Sequence, residues 1–220
     1  LMQYIHKCFM LLFATFILTT LHHAGFAQNF RAAVEKVDIT PQDSQHLLGY
    51  QSRKSTGVHD QIYHRIVAMD DGKTQFFIIS TDICLISPSQ YDKLADKLHK
   101  QLGINPLNIW WSATHTHSAP EVGPAGLPSV FLGDRYQHDF DVKYTTLVEQ
   151  GIIDGVAKAK KNLAPARLGI GWGASNANIN RRARDINGNT SLGMNPDGPV
   201  DRRIGLMRID KADGSPLALI

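Results

Sequence analysis

Two apolar runs joined by a short acidic turn constrain the fold of this chain more than any other feature. Residues 62–69 and 74–83 are rich in β-branched and aromatic side chains, and Asp70-Asp71-Gly72-Lys73 lies between them. An Asp-Gly pair between two such runs is typical of a β-hairpin. We therefore predict that the two runs pair with each other in a sheet.

A helix and a further strand follow this hairpin. Ser87-Pro88 is typical of a helix start and Gly103 of a helix end. The apolar residues between them recur at helical spacing: Tyr91, Leu94, Ala95, Leu98 and Leu102. Because residues 107–113 then form a short strand, the order predicts a βαβ unit. Residues 74–83 and 107–113 should be parallel neighbours.

The rest of the sequence completes an α/β fold with mixed sheet layers around this βαβ crossover. We predict strands at residues 32–39 and 166–173, a helix at 140–161, a hairpin from 203–209 and 216–220, and loops at 42–56, 118–134 and 176–199. The sequence ends on apolar residues, whereas a C-terminus is usually polar and exposed. We therefore expect residues 28–220 to be the N-terminal part of a larger α/β catalytic domain, incomplete at its C-terminus.

The first 27 residues have the form of a secretory signal peptide. Lys7 gives a weakly positive start, residues 8–21 are uncharged and apolar, and Gly25-Phe26-Ala27 supplies a small-x-small cleavage pattern. A membrane anchor is the alternative, but the apolar run is shorter than the roughly 20 residues that span a bilayer. We predict an exported protein, secreted or periplasmic, without a stable transmembrane segment after signal cleavage.

Composition argues against several classes of protein. With 43% hydrophobic residues the chain can form a sizeable core, and its formal net charge is only +3. No long basic run and no interleaving of basic and aromatic residues occurs, so we predict no nucleic-acid partner. Cys84 is the one cysteine outside the predicted signal, which leaves no internal disulfide. Its apolar neighbours indicate a buried strand thiol and not a nucleophile.

The segment Thr114-His115-Thr116-His117-Ser118 is the leading candidate for chemistry. It follows the second strand of the βαβ unit, and ligands bind beyond the carboxyl ends of such strands. On a strand, residues two apart face the same side, so the two imidazoles should converge on one point. This suits a metal ion, or one metal ligand beside one substrate-binding group. Two chance histidines on a strand edge are the alternative.

Other polar groups are weaker candidates. We interpret His59-Asp60 as part of a turn, and Asp82 could face the pocket or cap the next turn. An arginine within residues 178–182 could bind an anionic or carbonyl oxygen, or be surface charge. Residues 185–191 resemble a calcium loop in their alternating oxygens, but Asn187-Gly188 favours a simple turn.

Several segments, taken in order, form a pattern typical of one family. They lie at residues 37–41, 48–50, 57–59, 79–82, 112–120, 178–182 and 195–196. Together they resemble the neutral/alkaline (non-lysosomal) ceramidases in their N-terminal catalytic domain. The resemblance covers essentially all of residues 28–220, and the Thr-His-Thr-His-Ser segment is its most specific part.

The resemblance implies a zinc-dependent amide hydrolase that cleaves ceramide, an N-acylsphingosine, to sphingosine and a fatty acid. It implies that His115 binds the single zinc ion, that His117 and Arg181 are catalytic residues of the substrate-binding centre, and that Gly49 offers a backbone contact there. Bound zinc polarises a carbonyl and lowers the pKa of its water to about 7, while His117 and Arg181 could steady the oxyanion. The remaining ligands are expected beyond residue 220, and the implied partner is a lipid amide at a membrane or micelle surface.

Two departures from the family pattern indicate a divergent relative. Arg182-Ala183-Arg184 replaces a serine-proline stretch, and Glu121-Val122 replaces a glycine pair. Two alternatives to a ceramidase therefore stay open. One is another H-x-H metal hydrolase acting on a different amide, and the other is a non-catalytic exported binding domain. We expect the 220-residue chain alone to bind zinc weakly and to be inactive.

Overall fold

A seven-stranded mixed sheet organises the computed structural model, which describes residues 29–50, 52–123, 133, 138 and 140–220. The predicted signal peptide lies outside the described residues. In chain order, the elements are β1 (Arg31–Asp38), β2 (His46–Leu47), β3 (Arg53–Lys54), β4 (Tyr63–Asp70), β5 (Gln75–Thr81), α1 (Pro88–Leu102), β6 (Ile109–Ala113), α2 (Val142–Lys161), β7 (Ala164–Ala174), β8 (Asn180–Arg184), β9 (Thr190–Asn195), β10 (Arg203–Lys211) and β11 (Pro216–Leu219). The large sheet has the order β11-β10-β7-β1-β4-β5-β6.

The predicted hairpin is confirmed as β4 and β5, which pair antiparallel. Its turn is stabilised by carboxylates that accept backbone N–H bonds: Asp70 Oδ1 from Gly72 at 2.6 Å, and Asp71 Oδ1 from Lys73 and Thr74 at 2.9 and 2.7 Å. Gly72 adopts a φ of 88°, which glycine reaches without a steric penalty. These local bonds explain why the Asp-Gly signal in the sequence was a reliable one.

The strand–helix–strand order is confirmed too, because β5 and β6 are parallel neighbours with α1 between them. The Ser87 hydroxyl caps α1 by accepting the N–H of Gln90 at 3.2 Å. Gly103 ends it in the left-handed conformation, with φ 67°. The parallel pairing brings the carboxyl ends of β5 and β6 to the same edge of the sheet.

Both helices pack on one face of the sheet, where they form the main core. That core combines residues of the sheet with residues of α1 and α2, among them Ile66, Phe77, Ile79, Leu94, Leu98, Val148, Ile152 and Val156. Helix α2 approaches the sheet closely, since a Cβ on Gly155 would lie 2.5 Å from Ile66 Cδ1. A smaller cluster of Ala32, Val67, Ala166 and Ile209 lies on the opposite face.

Two predicted loops contain strands, so those predictions were wrong. Within residues 42–56, β2 and β3 pair over two residues each. Within 176–199, β8 and β9 form a hairpin, and its turn has Asp185 Oδ1 accepting the N–H groups of Asn187 and Asn189. Both hairpins are largely polar, so neither shows the alternation by which strands are read from sequence. The interpretation of Asn187-Gly188 as a turn is confirmed.

The mixed α/β class is confirmed for the described residues, with the sheet as the dominant element. The remaining strands and the second helix also form where the sequence placed them, as β1, β7, α2 and the β10–β11 hairpin. Among the described residues, no helix combines the length and apolarity needed to cross a bilayer. That residues 28–220 belong to a larger catalytic domain stays a prediction.

Candidate metal centre

His115 and His117 lie just past β6, at the shared carboxyl edge of β5 and β6. The strand ends at Ala113, although the Thr114 N–H still bonds to the Thr81 carbonyl at 2.9 Å. His115 then adopts a φ of 60°, which is uncommon for a residue other than glycine. The two histidines are therefore not strand neighbours, and the strand-based reason given for their convergence was wrong.

Their imidazoles converge nevertheless. The Nε2 atoms of His115 and His117 lie 3.4 Å apart, and the rings stand at 76° to each other. Nitrogens bound to one tetrahedral zinc ion lie about 3.3 Å apart, from bond lengths of roughly 2.0–2.1 Å. The spacing of these two atoms fits a shared metal ion.

A backbone carbonyl fixes the orientation of His115. Its Nδ1 lies 2.8 Å from the carbonyl oxygen of Cys84. Because a carbonyl only accepts, Nδ1 carries the hydrogen in the neutral ring and Nε2 keeps its lone pair. Metal-binding histidines commonly donate their second nitrogen to such an acceptor. The nitrogen of His115 that keeps a lone pair for a metal ion is therefore Nε2.

The His117 ring rests on the backbone of Gly49. A Cβ at position 49 would lie 2.5 Å from His117 Cγ, and Gly49 has a φ of 117°. The neighbouring Tyr50 also has a positive φ, 60°, and its ring meets His117 edge-on at 4.5 Å between centroids. The structure therefore brings Gly49 to His117, in a position that only glycine suits.

The β2–β3 hairpin contacts the segment that carries His115 and His117 through several hydrogen bonds. The Arg53 guanidinium donates to the His117 carbonyl. Leu47 forms a backbone bridge with Pro120, and the Glu121 N–H bonds to the His46 carbonyl at 3.0 Å. Sequence reasoning missed Arg53, since one basic residue in a polar segment carries no distinguishing signal.

Cys84 is a third group at this point, and sequence reasoning missed its position as well. It lies in the bend after β5, so the predicted strand thiol is buried but not on a strand. Its Sγ is 3.8 Å from His115 Nδ1, and ligand atoms of Cys84, His115 and His117 all lie within 4.8 Å of one another. Burial raises the pKa of the thiol, which disfavours a nucleophilic role.

Arg181 is not joined to the histidines. It lies on β8, where its Nε donates to the Gly193 carbonyl at 2.6 Å. Among the described residues, no hydrogen bond or ion pair connects it to His115 or His117. The structure thus brings Gly49, His115 and His117 together and leaves Arg181 on its own hairpin.

Asp82 and the His59-Asp60 pair, the weaker candidates from the sequence, form their hydrogen bonds with residues other than His115 and His117. Asp82 Oδ2 accepts from the Tyr63 N–H at 3.0 Å and from Arg65 at 2.7 Å, which ties it to β4. His59 and Asp60 are exposed and bond to each other at 2.8 Å, and this raises the pKa of His59. The His59-Asp60 pair lies in a bend, and both residues also line the cavity beside the histidine segment.

A cavity of about 740 Å³ opens beside the histidine segment. Residues of the β2–β3 hairpin and of the bend at His59 line this cavity. Thr116 and Ser118 of the histidine segment line it too. Arg53 lines it as well, on the side of the His117 carbonyl. The cavity therefore adjoins the segment that carries the two histidines, although neither imidazole is among its lining residues.

Glu121, one of the two departures from the family pattern, forms a buried pair. Its Oε1 lies 2.6 Å from His138 Nε2, and the His138 ring stacks on His46 at 3.6 Å. Burial raises the pKa of Glu121. Its described contacts are with this stacked pair and not with His115 or His117.

Known proteins resemble this chain over nearly all of its described part. A model of the N-terminal region of the neutral/alkaline non-lysosomal ceramidases matches residues 30–220. Neutral ceramidase B of Dictyostelium discoideum is 31% identical over 193 residues, which is 83% of this chain and 26% of that protein. The neutral ceramidase of Pseudomonas aeruginosa is 26% identical over 193 residues, 84% of this chain and 28% of that protein.

Solved structures show the same fold. The crystal structure of the Pseudomonas aeruginosa neutral ceramidase superposes with a TM-score of 0.65 at 22% identity, covering 86% of this chain and 30% of that one. A ceramidase complexed with C2 gives a TM-score of 0.67 at 21% identity, with 87% and 30% covered. The chain therefore spans between a quarter and a third of the length of these relatives.

Proposed function

Because the chain belongs to the neutral/alkaline non-lysosomal ceramidase family, we propose that the protein is a zinc-dependent amide hydrolase acting on ceramide-type lipids. One observation carries this proposal. The Nε2 atoms of His115 and His117 lie 3.4 Å apart, and a backbone carbonyl holds His115 in the tautomer that leaves its Nε2 free. The reaction would release a sphingoid base and a fatty acid from an N-acylsphingosine.

In this proposal the two imidazoles have different roles. His115 holds the zinc ion through Nε2, as the Cys84 carbonyl on its other nitrogen favours. Zinc, when bound, polarises the amide carbonyl and lowers the pKa of its water to about 7. His117 faces the same point, so its Nε2 can donate a hydrogen bond to the amide oxygen as negative charge develops there.

Gly49 and Arg181 complete the proposed substrate centre. Gly49 brings its backbone against the His117 ring, where a side chain would clash. Arg181 is an exposed guanidinium that can pair with an anionic or carbonyl oxygen of the substrate. Its present partner is a carbonyl within its own hairpin, so reaching the substrate requires that this bond be exchanged.

We further propose an exported protein that meets its lipid amide at a membrane or micelle surface. The signal-like pattern of residues 1–27 supports export. The small net charge and the lack of basic runs support a partner other than nucleic acid. The cavity beside Thr116 and Ser118 is the candidate entrance for the amide group.

Metal analysis of the full-length protein tests the role of His115. Wild type should bind one zinc ion, and His115→Ala should lose most of it together with amide hydrolysis. His99→Ala is the matched control, because His99 lies in the last turn of α1, where its Nδ1 bonds to the Ile104 carbonyl, and it does not line the cavity beside the histidine segment. Unchanged zinc content in His115→Ala would reject His115 as a ligand.

A substrate panel separates the proposed activity from its alternatives. N-acylsphingosines should be cleaved faster than simple N-acyl amides of the same chain length. The reverse order would indicate a hydrolase for a different amide. Zinc-loaded protein that cleaves none of them would indicate a binding domain that keeps the scaffold.

A further inference from the structure

We propose that Arg53 is a positioning residue, which holds the main chain of His117 so that the imidazole faces the amide oxygen of the substrate. The inference rests on the proposed role of His117 and adds to it a residue from another part of the chain. It starts from one contact, in which the Arg53 guanidinium donates to the carbonyl oxygen of His117.

The ring of His117 is held by packing and not by a hydrogen bond at Nδ1. That atom is buried and has no hydrogen-bond partner among the described residues. The Nδ1 atom of His115, by contrast, lies 2.8 Å from a carbonyl oxygen that fixes its ring. The backbone of Gly49 contacts the His117 ring on one side, and the Tyr50 ring meets it edge-on at 4.5 Å between centroids. The position of this imidazole therefore depends on the position of its own main chain.

The main chain of His117 lies midway between two points where the segment bonds to strands. The Thr114 N–H bonds to β5 at 2.9 Å, and the Glu121 N–H bonds to β2 at 3.0 Å. The Arg53 guanidinium reaches the segment between these two points. Arg53 lies opposite Leu47 in the β2–β3 pair, so the bonds to His117 and Glu121 come from one hairpin. That hairpin is therefore placed to set the height of the His117 ring above the sheet edge.

A guanidinium is well suited to this contact. It stays charged at any pH at which the protein is folded, its bond to a carbonyl is charge-assisted, and its fork of donors is planar. Arg53 is exposed and does not belong to the main core, so its replacement should move the His117 segment without unfolding the protein. A displacement of about 1 Å at a reacting group can lower the rate about 100-fold.

Steady-state kinetics of the full-length protein with an N-acylsphingosine tests this inference. Arg53→Met removes the donors and keeps an unbranched side chain. It should lower kcat at least about tenfold and leave KM within about threefold, with unchanged zinc content. Arg53→Lys should recover part of kcat, because an ammonium group can donate to the same carbonyl. Arg208→Met is the matched control and should match wild type, because Arg208 lies on β10 and pairs with Asp210.

Hydrogen–deuterium exchange measures the positioning without turnover. Peptides that cover residues 114–119 should exchange about three- to tenfold faster in Arg53→Met, because a charge-assisted bond that restrains this stretch is lost. Peptides of α2 should exchange as in wild type, which shows that the change is local.

The outcomes separate this inference from the proposed function. A rise in KM at unchanged kcat would make Arg53 a substrate contact and overturn its positioning role. Unchanged exchange of residues 114–119, or loss of zinc in Arg53→Met, would overturn it as well. Wild type that binds zinc but cleaves no amide would refute the proposed function, and the exchange result then decides alone whether Arg53 holds His117. If Arg53→Met does not fold, Arg53→Lys takes its place and must show the same changes at smaller size.

Discussion

The buried His64 should make the fold sensitive to acid within a defined pH range. Its Nε2 lies 2.9 Å from the Val148 carbonyl, which can only accept, so Nε2 carries the hydrogen. Its Nδ1 lies 2.7 Å from Thr81 Oγ1, which itself accepts from Trp111 Nε1 at 2.8 Å. The Thr81 hydroxyl therefore donates to Nδ1. A second proton on the ring would leave two donors facing each other in the core.

The magnitude follows from the pKa of this histidine. Burial lowers the pKa of His64 from 6.5 to about 4 in the folded state. Since the folded pKa is the lower one, the stabilisation is present above pH 6.5 and is lost as the pH falls towards 4. From these two pKa values, His64 alone removes about 2 kcal/mol from the free energy of unfolding between pH 7 and pH 5, and roughly 3 kcal/mol in all.

Urea denaturation at pH 7, 6 and 5 measures this loss. Wild type should lose about 2 kcal/mol more than His64→Gln over that interval, because glutamine does not titrate. His59→Gln, which changes an exposed histidine, should keep nearly the wild-type pH dependence. A wild-type slope retained in His64→Gln would refute the reasoning. So would an NMR titration that places the pKa of folded His64 above 6, and that test needs no variant.

Two glycine substitutions test close contacts by the same denaturation assay. Gly49→Ala should lower the free energy of unfolding by about 1–3 kcal/mol, because the new Cβ meets the His117 ring and the φ is unfavourable for alanine. Gly57→Ala is the control with open space around it, and a loss as large there would contradict this cause. Gly155→Ala should lower the free energy of unfolding by about 1–2 kcal/mol, because overpacking against Ile66 outweighs the gain of about 1 kcal/mol in helix propensity. A stabilised protein would contradict this and show that Ile66 can move aside at little cost.

Features of the fold that depend on neighbouring residues could be predicted from the sequence. Ser87 and Gly103 bound α1 through their own capping bonds, and the Asp-Gly turn closes the β4–β5 hairpin through its own carboxylates. Such signals lie within a few residues of the structure they form. The strands β8 and β9 were missed, because residues such as Arg182 and Arg184 leave no apolar face for a sequence pattern to show.

The candidate site was predictable in part for the same reason. That His115 and His117 lie at the end of a sheet followed from the strand–helix–strand order. The left-handed turn at His115 has no signature in the sequence, so the ring geometry could not be derived. The approach of Cys84 and Arg53 depends on strand register and on a hairpin distant in sequence. Contacts of that kind arise only when the whole sheet is assembled.

The carbonyl of Cys84 has an evolutionary consequence. It sets the tautomer of His115, and every amino acid carries such a carbonyl. Mutation at position 84 can therefore exchange the thiol for another group without disturbing the orientation of the ring. The orientation of the His115 ring is thus encoded in the main chain and not in the side chain at position 84. Lineages that descend from such a protein are free to vary this side chain while the ring of His115 keeps its orientation.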